Sequence, residues 1–131
     1  MATITREIPL KVPADRAWTA LRDVGRADRA FPGILVDSRL DRDVRTVTFG
    51  NGLVVRERIV TIDDRSRRLA YAVIDGSMSH HNASLHVLPE GDGRCRVVWT
   101  TDLLPDDLEP SIRALVDQGA EALRRFLEGG R

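Results

Sequence analysis

The sequence predicts an α+β fold in which an antiparallel sheet lies against one long C-terminal helix. Between residues 34 and 103, short stretches of alternating apolar and polar residues are separated by turns, a pattern typical of antiparallel strands. Apolar or small residues then recur every three or four positions from Asp107 to Leu127, which is the spacing of one helix face. This helix is the one long element that can cover the apolar face of the sheet.

The composition indicates a single domain, spanning residues 1–131, with no surplus of charge. Lys+Arg and Asp+Glu both number 20, which argues against a nucleic-acid partner and against attachment to an anionic membrane by charge alone. No segment approaches the roughly 18 consecutive apolar residues of a membrane span, so we expect no membrane insertion. The first residues contain no apolar run of signal-peptide length, and we therefore expect a soluble cytoplasmic protein.

The elements follow in the order strand, two short helices, six strands, long helix. The first strand covers residues 2–10, and Pro13 precedes one helix over 14–21 and another over 26–30. The six later strands are predicted at residues 34–40, 44–49, 53–62, 67–74, 80–88 and 94–103. An initial strand that helices separate from the other strands is typical of α+β proteins.

Alternation along the strands defines an inward face that is mainly apolar. In the strand over 53–62, the odd positions are apolar apart from Glu57 and Thr61, whereas the even positions include Arg56 and Arg58. The odd face therefore points inward. The same reasoning places Ser38, Tyr71, His81, Trp99 and Thr101 on inward faces. An apolar concave surface with a few polar groups is typical of a small-molecule site. The predicted ligand-binding residues are Val36, Phe49, Val55, Ile59, Val73, Ala83 and Trp99 of the strands and Val116, Gly119, Ala120 and Leu123 of the helix.

Gly119 interrupts the apolar face of the long helix. Glycine inside a helix costs about 1 kcal/mol relative to alanine, so its presence at this position needs a physical reason. It indicates either a close approach by the sheet or a space left for a bound molecule.

Several short motifs occur in a recognisable order along the whole chain. They are Ile8, Val12-Pro13-Ala14, Trp18, Leu21 and Asp23, then Phe31-Pro32-Gly33-Ile34, residues 45–52, Glu57-Arg58, Asp63, Tyr71, Gly76, residues 93–99 and Gly119 with Leu123. In this order they resemble the START-like superfamily of helix-grip proteins, also called SRPBCC, and within it the polyketide cyclase/dehydrase-like branch.

The resemblance implies a seven-stranded antiparallel sheet curled around the C-terminal helix, with an apolar cavity between them. Members of the superfamily include polyketide aromatase/cyclases, lipid and hormone carriers and many small bacterial proteins. They share no single catalytic motif, so the resemblance assigns no catalytic residue. Position 31 is Phe where the family pattern has Trp, and the stretch before His81 lacks a Pro that is common there.

Glu57 is the sharpest candidate for chemistry, because a carboxylate on an apolar face can act as a general acid or base. Tyr71 and His81 lie on the inward faces of neighbouring strands. With Glu57 they form a set that can transfer protons and stabilise an enolate oxygen during an aldol-type cyclisation or dehydration. The alternative is structural: Glu57 pairs with an arginine from another element, and Tyr71 and His81 are core residues with satisfied polar atoms.

We expect neither a metal nor a cofactor. His80 and His81 point to opposite faces of one strand, and His80 and His86 are about 20 Å apart along it, at roughly 3.3 Å per residue. No cluster with the spacing of metal ligands results. Cys95, the one cysteine, is predicted to be a small buried residue, and Trp18 to be a core residue.

The sequence thus predicts a protein that binds a hydrophobic small molecule, such as a polyketide, aromatic or lipid-like metabolite, in an internal cavity. Cyclase/dehydratase chemistry at Glu57 is one hypothesis. The alternatives are a non-catalytic ligand carrier and a regulatory module that binds a partner. Both a monomer and a homodimer are compatible with the residues.

Overall fold

The computed structural model describes residues 2–129 and shows a seven-stranded antiparallel sheet that packs against a long helix. The strands are β1 (Ala2–Leu10), β2 (Leu35–Asp41), β3 (Val44–Phe49), β4 (Val54–Asp63), β5 (Arg68–Val73), β6 (His80–Pro89) and β7 (Cys95–Leu104). The helices are α1 (Ala14–Arg22), α2 (Ala27–Ala30) and α3 (Glu109–Gly129), with 3₁₀ turns at Val24–Arg26 and Asp106–Leu108. The predicted α+β helix-grip fold and the order of its elements are confirmed.

The strands lie in the order β1-β7-β6-β5-β4-β3-β2, and neighbouring strands are antiparallel. β1 pairs with β7, the last strand of the chain, and places Ile4 opposite Thr101. β2 forms the other edge of the sheet. The chain must therefore pass from one edge of the sheet to the other between β1 and β2, and α1 and α2 make this connection.

The most tightly packed part of the core lies between α3 and the strands β1 and β7. Ile4, Val97, Leu103 and Leu123 are at most 1% exposed and belong to one hydrophobic cluster. Complete burial of each such side chain contributes roughly 1.5–3 kcal/mol relative to leaving it exposed. The second half of α3 is thus fixed directly to the sheet.

The outer face of α3 is polar and carries ion pairs along the helix. Arg125 Nε lies 3.3 Å from Glu121 Oε1, at the i,i+4 spacing that supports helices in water. Neither α3 nor any other helix within residues 2–129 has the length and apolarity needed to cross a bilayer.

A buried tryptophan ties α1 to the turn between β4 and β5. Trp18 Nε1 donates a hydrogen bond to Asp64 Oδ1 at 2.9 Å, and Arg22 Nε donates to the same oxygen at 2.7 Å. The Trp18 side chain packs in the hydrophobic core, as the sequence predicted. Because its one polar atom is bonded, this tie holds α1 against the sheet without leaving a buried donor unpaired.

β2 departs from the predicted alternation at Val36. Its pairing with β3 shifts between Leu35 and Asp37, so Val36 is the extra residue of a β-bulge. The prediction that Val36 faces the interior is wrong, because 59% of this residue is exposed. Ser38, beyond the bulge, keeps its place opposite the buried Val47.

Candidate functional site

A cavity of about 410 Å³ lies between the inner face of β3–β7 and the first half of α3. Its wall is mainly apolar, with Val47, Leu69 and Leu85 from the sheet, Ala30 from α2 and Ile112 from α3 among the lining residues. The second half of α3 packs directly on the sheet, and the cavity lies beside it, under the first half of the helix.

The structure brings most of the predicted ligand-binding residues to this cavity and leaves others in the core. Phe49, Val55, Val73, Trp99, Val116 and Gly119 line it, as do Glu57, Tyr71 and His81. Ala83, Ala120 and Leu123 are buried in the core cluster, Ile59 packs against that cluster, and Val36 is exposed; none of these five is a lining residue. The predicted inward faces were wrong at Val36 and at Thr61. A register shift between Ile59 and Thr61 pairs Thr61 with Ala70, which alternates with the buried Leu69 and Tyr71. An inward side chain lines the cavity only where α3 does not pack directly on it.

Arg45 is a charged residue of the cavity wall that the sequence reasoning missed. It is 6% exposed and lines the cavity. Arg45 has the same parity in β3 as Phe49, which the sequence analysis placed inside, so the alternation itself was the signal. Its positive charge argued for an exposed position, because arginine is rarely buried without a partner.

The partner of Arg45 is Glu57, which lies directly opposite on β4. Arg45 Nη2 lies 2.7 Å from Glu57 Oε1, and Arg45 Nε donates a hydrogen bond to the same oxygen at 2.9 Å. Arg45 Nη1 donates to the carbonyl oxygen of Val24 at 3.3 Å. Glu57 therefore faces the cavity and is also ion-paired. No hydrogen bond to its second oxygen, Oε2, is found within residues 2–129, and this oxygen is free to accept one from a ligand.

Tyr71 lies beside this ion pair on β5. The guanidinium carbon of Arg45 is 5.2 Å from the centroid of the tyrosine ring, a distance at which a cation attracts the face of an aromatic ring. Burial, followed by the negative charge of Glu57, raises the pKa of Tyr71 above its usual value. The hydroxyl is therefore neutral at physiological pH and can donate a hydrogen bond.

His81 is held neutral by its surroundings on β6. Its Nδ1 atom accepts a hydrogen bond from the backbone N–H of Val73 at 3.0 Å, so the proton of the neutral ring is assigned to Nε2. Burial, with a smaller effect of His80, lowers the pKa of His81 to about 4. The His81 ring centroid lies 5.8 Å from that of Tyr71, so the two residues are neighbours in the cavity wall.

Trp99 forms the boundary between the cavity and the packed core. A Cβ atom added at Gly119 would lie 3.0 Å from Cη2 and from Cζ3 of Trp99, so the glycine allows this indole to approach α3 closely. The ring centroid of Phe31 is 5.5 Å from that of Trp99. The indole Nε1 is buried, and although the Tyr71 hydroxyl is near it, no acceptor within residues 2–129 forms a hydrogen bond with it.

Five neighbouring strands thus place polar side chains on the cavity wall. They are Arg45 of β3, Glu57 of β4, Tyr71 of β5, His81 of β6, and Trp99 and Thr101 of β7. The predicted trio of Glu57, Tyr71 and His81 does come together, around Arg45. The arrangement offers hydrogen-bond donors at Tyr71 and His81 and an acceptor at Glu57, so it can orient a ligand oxygen.

Neither the histidines nor the cysteine form a metal site. Within residues 2–129, no group of three or more His, Cys, Asp or Glu side chains is arranged to hold a metal ion. His80 is exposed, and its Nε2 atom lies 2.7 Å from Asn82 Oδ1. Cys95 is buried, as predicted, and burial raises the pKa of its thiol.

Comparison with known proteins adds a family match and several similar folds. A family model described as polyketide cyclase/dehydrase and lipid transport matches residues 1–130. No curated protein matches the sequence. The structure of XoxI from Bacillus cereus is similar, with a TM-score of 0.88 at 17% identity over 100% of this chain and 99% of that one.

Two further solved structures share the fold. A norcoclaurine synthase point mutant from Thalictrum flavum, in complex with a transition-state analogue, has a TM-score of 0.78 at 22% identity over 99% of this chain and 96% of that one. A protein from Thermobifida fusca, solved by NMR in solution, has a TM-score of 0.76 at 28% identity over 96% and 93% of the two chains.

Replacing Gly119 by alanine tests the contact with Trp99. Alanine favours helix by about 1 kcal/mol over glycine, but overpacking typically costs about 1–3 kcal/mol. We expect Gly119→Ala to give no gain in the free energy of unfolding and to move the indole N–H signal of Trp99 in an NMR spectrum. Gly129→Ala is the control, because a Cβ there meets nothing within 4 Å. Equal stabilisation by both substitutions would contradict the contact.

The lowered pKa of His81 predicts a loss of stability in mild acid. Between the usual histidine pKa of about 6.5 and the folded-state pKa of about 4, the unfolded chain takes up a proton that the folded chain does not, so acidification favours unfolding. The loss is on the order of 3 kcal/mol. Denaturant unfolding at neutral pH and near pH 4.5 measures it. His81→Asn keeps an acceptor for Val73 N–H and does not titrate, so an equally large loss in this variant would contradict the assignment to His81.

Proposed function

Because the chain belongs to the polyketide cyclase/dehydrase and lipid transport family, we propose that it binds a hydrophobic small molecule inside the cavity. A polyketide, an aromatic compound or a lipid-like metabolite fits this description. The observation that carries the proposal is the cavity itself, which is apolar over most of its wall and is placed within the core of the domain. Protein interiors contain few voids larger than a water molecule, so a space of this size needs an occupant.

The size and shape of the cavity support this function. Its volume of about 410 Å³ falls within the range of roughly 300–1,000 Å³ that is typical of small-molecule sites. The strands β2–β7 supply one side of the wall, and their hydrogen bonds to neighbouring strands hold those lining side chains in place. Such a preformed site loses little conformational entropy when a ligand binds.

The entrance lies where lining residues are exposed to solvent. Leu53, which precedes β4, and Val54, its first residue, line the cavity and are 51% and 55% exposed. Ser77, in the loop before β6, and Ser111, in the first turn of α3, are also exposed lining residues. A hydrophobic ligand can therefore pass from solvent over apolar side chains into the interior.

Cyclase/dehydratase chemistry is the second candidate function, and a specific observation favours it. The unbonded Oε2 atom of Glu57 faces a cavity whose wall also holds Tyr71 and His81. In this hypothesis Glu57 accepts a proton, and Tyr71 and His81 donate hydrogen bonds to the enolate oxygen that develops. One protein of similar fold, the norcoclaurine synthase, has been solved in complex with dopamine and hydroxybenzaldehyde, which are small aromatic molecules.

The non-catalytic and regulatory alternatives differ from this hypothesis in what they require. A carrier needs the cavity but no proton transfer. The ion pair between Arg45 and Glu57 supports a purely structural role for this carboxylate. A regulatory module needs an exposed apolar surface for its partner. Val60 of β4 is 62% exposed on the outer face, but this alternative does not require the internal cavity.

Filling the cavity tests ligand binding. Val55→Trp adds bulk inside the cavity and should lower the fraction of protein that carries a small molecule at least tenfold in native mass spectrometry after expression. Val60→Trp is the matched control, since it adds the same bulk to the outer face of the same strand. If Val55→Trp and Val60→Trp retain the same ligand to the same extent, the cavity is not the binding site.

Substitution at the polar groups tests the chemistry. Once a bound compound has been identified, Glu57→Gln and His81→Ala should each lower its turnover by roughly 10²–10⁴-fold, the usual contribution of a general acid or base. Affinity, measured by calorimetry, should change far less. Unchanged turnover in both variants, with the fold intact by circular dichroism, would contradict the catalytic hypothesis and favour the carrier function.

A further inference from the structure

The charged groups that line the cavity are mostly negative. Asp23, Glu57 and Asp75 carry carboxyl groups, whereas Arg45 is the one basic residue among the lining residues. Arg45 and Glu57 lie 2.7 Å apart and form a pair that is neutral as a unit. The two remaining carboxyl groups therefore give the wall a net negative charge at neutral pH.

The three carboxyl groups belong to the same end of the cavity. Asp23 precedes Val24, whose carbonyl oxygen accepts a hydrogen bond from Arg45 Nη1 at 3.3 Å. Asp75 Oδ1 accepts a hydrogen bond from the backbone N–H of Arg56 at 3.1 Å, one residue before the buried glutamate. Both aspartates thus lie beside the buried ion pair, and the other end of the cavity is apolar.

The two aspartates are not neutralised by basic side chains. Within residues 2–129, neither Asp23 nor Asp75 forms an ion pair. The basic residues closest to Asp23 in the chain are Arg22 and Arg26, and their guanidinium groups are paired with other aspartates at 2.7 and 3.1 Å. The charge of both carboxyl groups is therefore available to a cation that enters the cavity.

Glu57 supplies the acceptor for such a cation. The residue is 8% exposed, and both of its contacts with Arg45 involve Oε1. The second oxygen, Oε2, can accept N–H groups from an ammonium without displacing Arg45. Burial of an ammonium is costly unless it is paired and hydrogen-bonded, and this end of the cavity provides both. A ligand carboxylate would instead meet a negative wall whose one guanidinium is already engaged.

We propose that the cavity selects organic cations, namely protonated amines on an aromatic or alkyl body, over carboxylates and over uncharged compounds of the same shape. This inference deepens the proposed function and rests on it. The ammonium donates hydrogen bonds to Glu57 Oε2, and the apolar body fills the space beneath the first half of α3. Asp23 and Asp75 balance the charge of the ligand, because Glu57 is already balanced by Arg45.

A matched series of naphthalene derivatives tests this selection. The probes are 2-naphthylmethylamine, which is protonated at neutral pH, 2-naphthalenemethanol, 2-naphthoate and 2-ethylnaphthalene. They share one ring system and differ in charge and in hydrogen-bond donors. Calorimetric titration of the full chain at pH 7 and low salt should give a Kd for the amine at least about tenfold lower than for the alcohol and the hydrocarbon, the usual effect of a hydrogen bond to a charged group. The carboxylate should bind most weakly.

Removing the two uncompensated charges tests their role. Asp75→Asn keeps an oxygen acceptor for the Arg56 N–H, and Asp23→Asn removes the second charge. The double variant should raise the Kd of the amine roughly tenfold and change that of the alcohol less than about twofold, because each partly exposed charge alters affinity by a factor of a few. Asp92→Asn is the matched control, since Asp92 is exposed in the turn before β7 and does not line the cavity.

The location of the amine is tested by filling the cavity. Val55→Trp should abolish binding of 2-naphthylmethylamine, whereas Val60→Trp, on the outer face of the same strand, should leave its Kd unchanged. Equal binding by both variants would place the cation on the protein surface and overturn the inference.

The outcomes separate the inference from the proposed function. If the alcohol, the hydrocarbon or the carboxylate binds as tightly as the amine, the selection is overturned and ligand binding stands. An unchanged Kd of the amine in the double aspartate variant would overturn it as well, because the carboxyl charges then have no part in recognition. Absence of binding by all four probes would count against the proposed function itself.

Discussion

The polar end of the cavity depends on the buried ion pair between Arg45 and Glu57. Breaking such a pair by removing one partner typically costs about 3–5 kcal/mol, because the other charge is left uncompensated. Arg45 also bonds the Val24 carbonyl and lies over the ring of Tyr71. One guanidinium therefore joins β3, β4, β5 and the 3₁₀ turn that precedes α2. The positive charge of Arg45 offsets the cost of burying the Glu57 carboxylate in an apolar wall.

The division of the interior into core and cavity depends on how α3 lies across the sheet. Its second half packs on β1 and β7 through side chains such as Leu123, whereas its first half faces β3–β5 across the cavity. Trp99 stands at the boundary, where Gly119 lets the indole reach the helix backbone. A single helix thus belongs to the hydrophobic core at one end and to the site at the other.

The sequence was sufficient for the fold and for the orientation of most side chains, because turns and alternation are local signals. It placed Glu57, Tyr71 and His81 inside correctly. It failed at Val36 and at Thr61, because a bulge in β2 and a register shift in β4 change the alternation by one residue without a local sequence signal. It could not distinguish core residues such as Leu123 and Ala83 from cavity-lining residues such as Val55 and Val73. Periodicity shows which way a side chain points, but not whether another element packs directly against it. Arg45 was missed because its burial depends on a partner in another strand.

The cavity wall is assembled from segments that are far apart in the chain, from α1 to the middle of α3. The binding site therefore exists only in the folded state, and any occupant raises the free energy of unfolding by RT ln(1 + [L]/Kd), about 2.7 kcal/mol at a concentration one hundred times Kd. Changes of 1–2 kcal/mol alter the abundance of a marginally stable protein several-fold in cells. If the proposed binding takes place, the abundance of this protein in the cell would depend on the supply of its ligand.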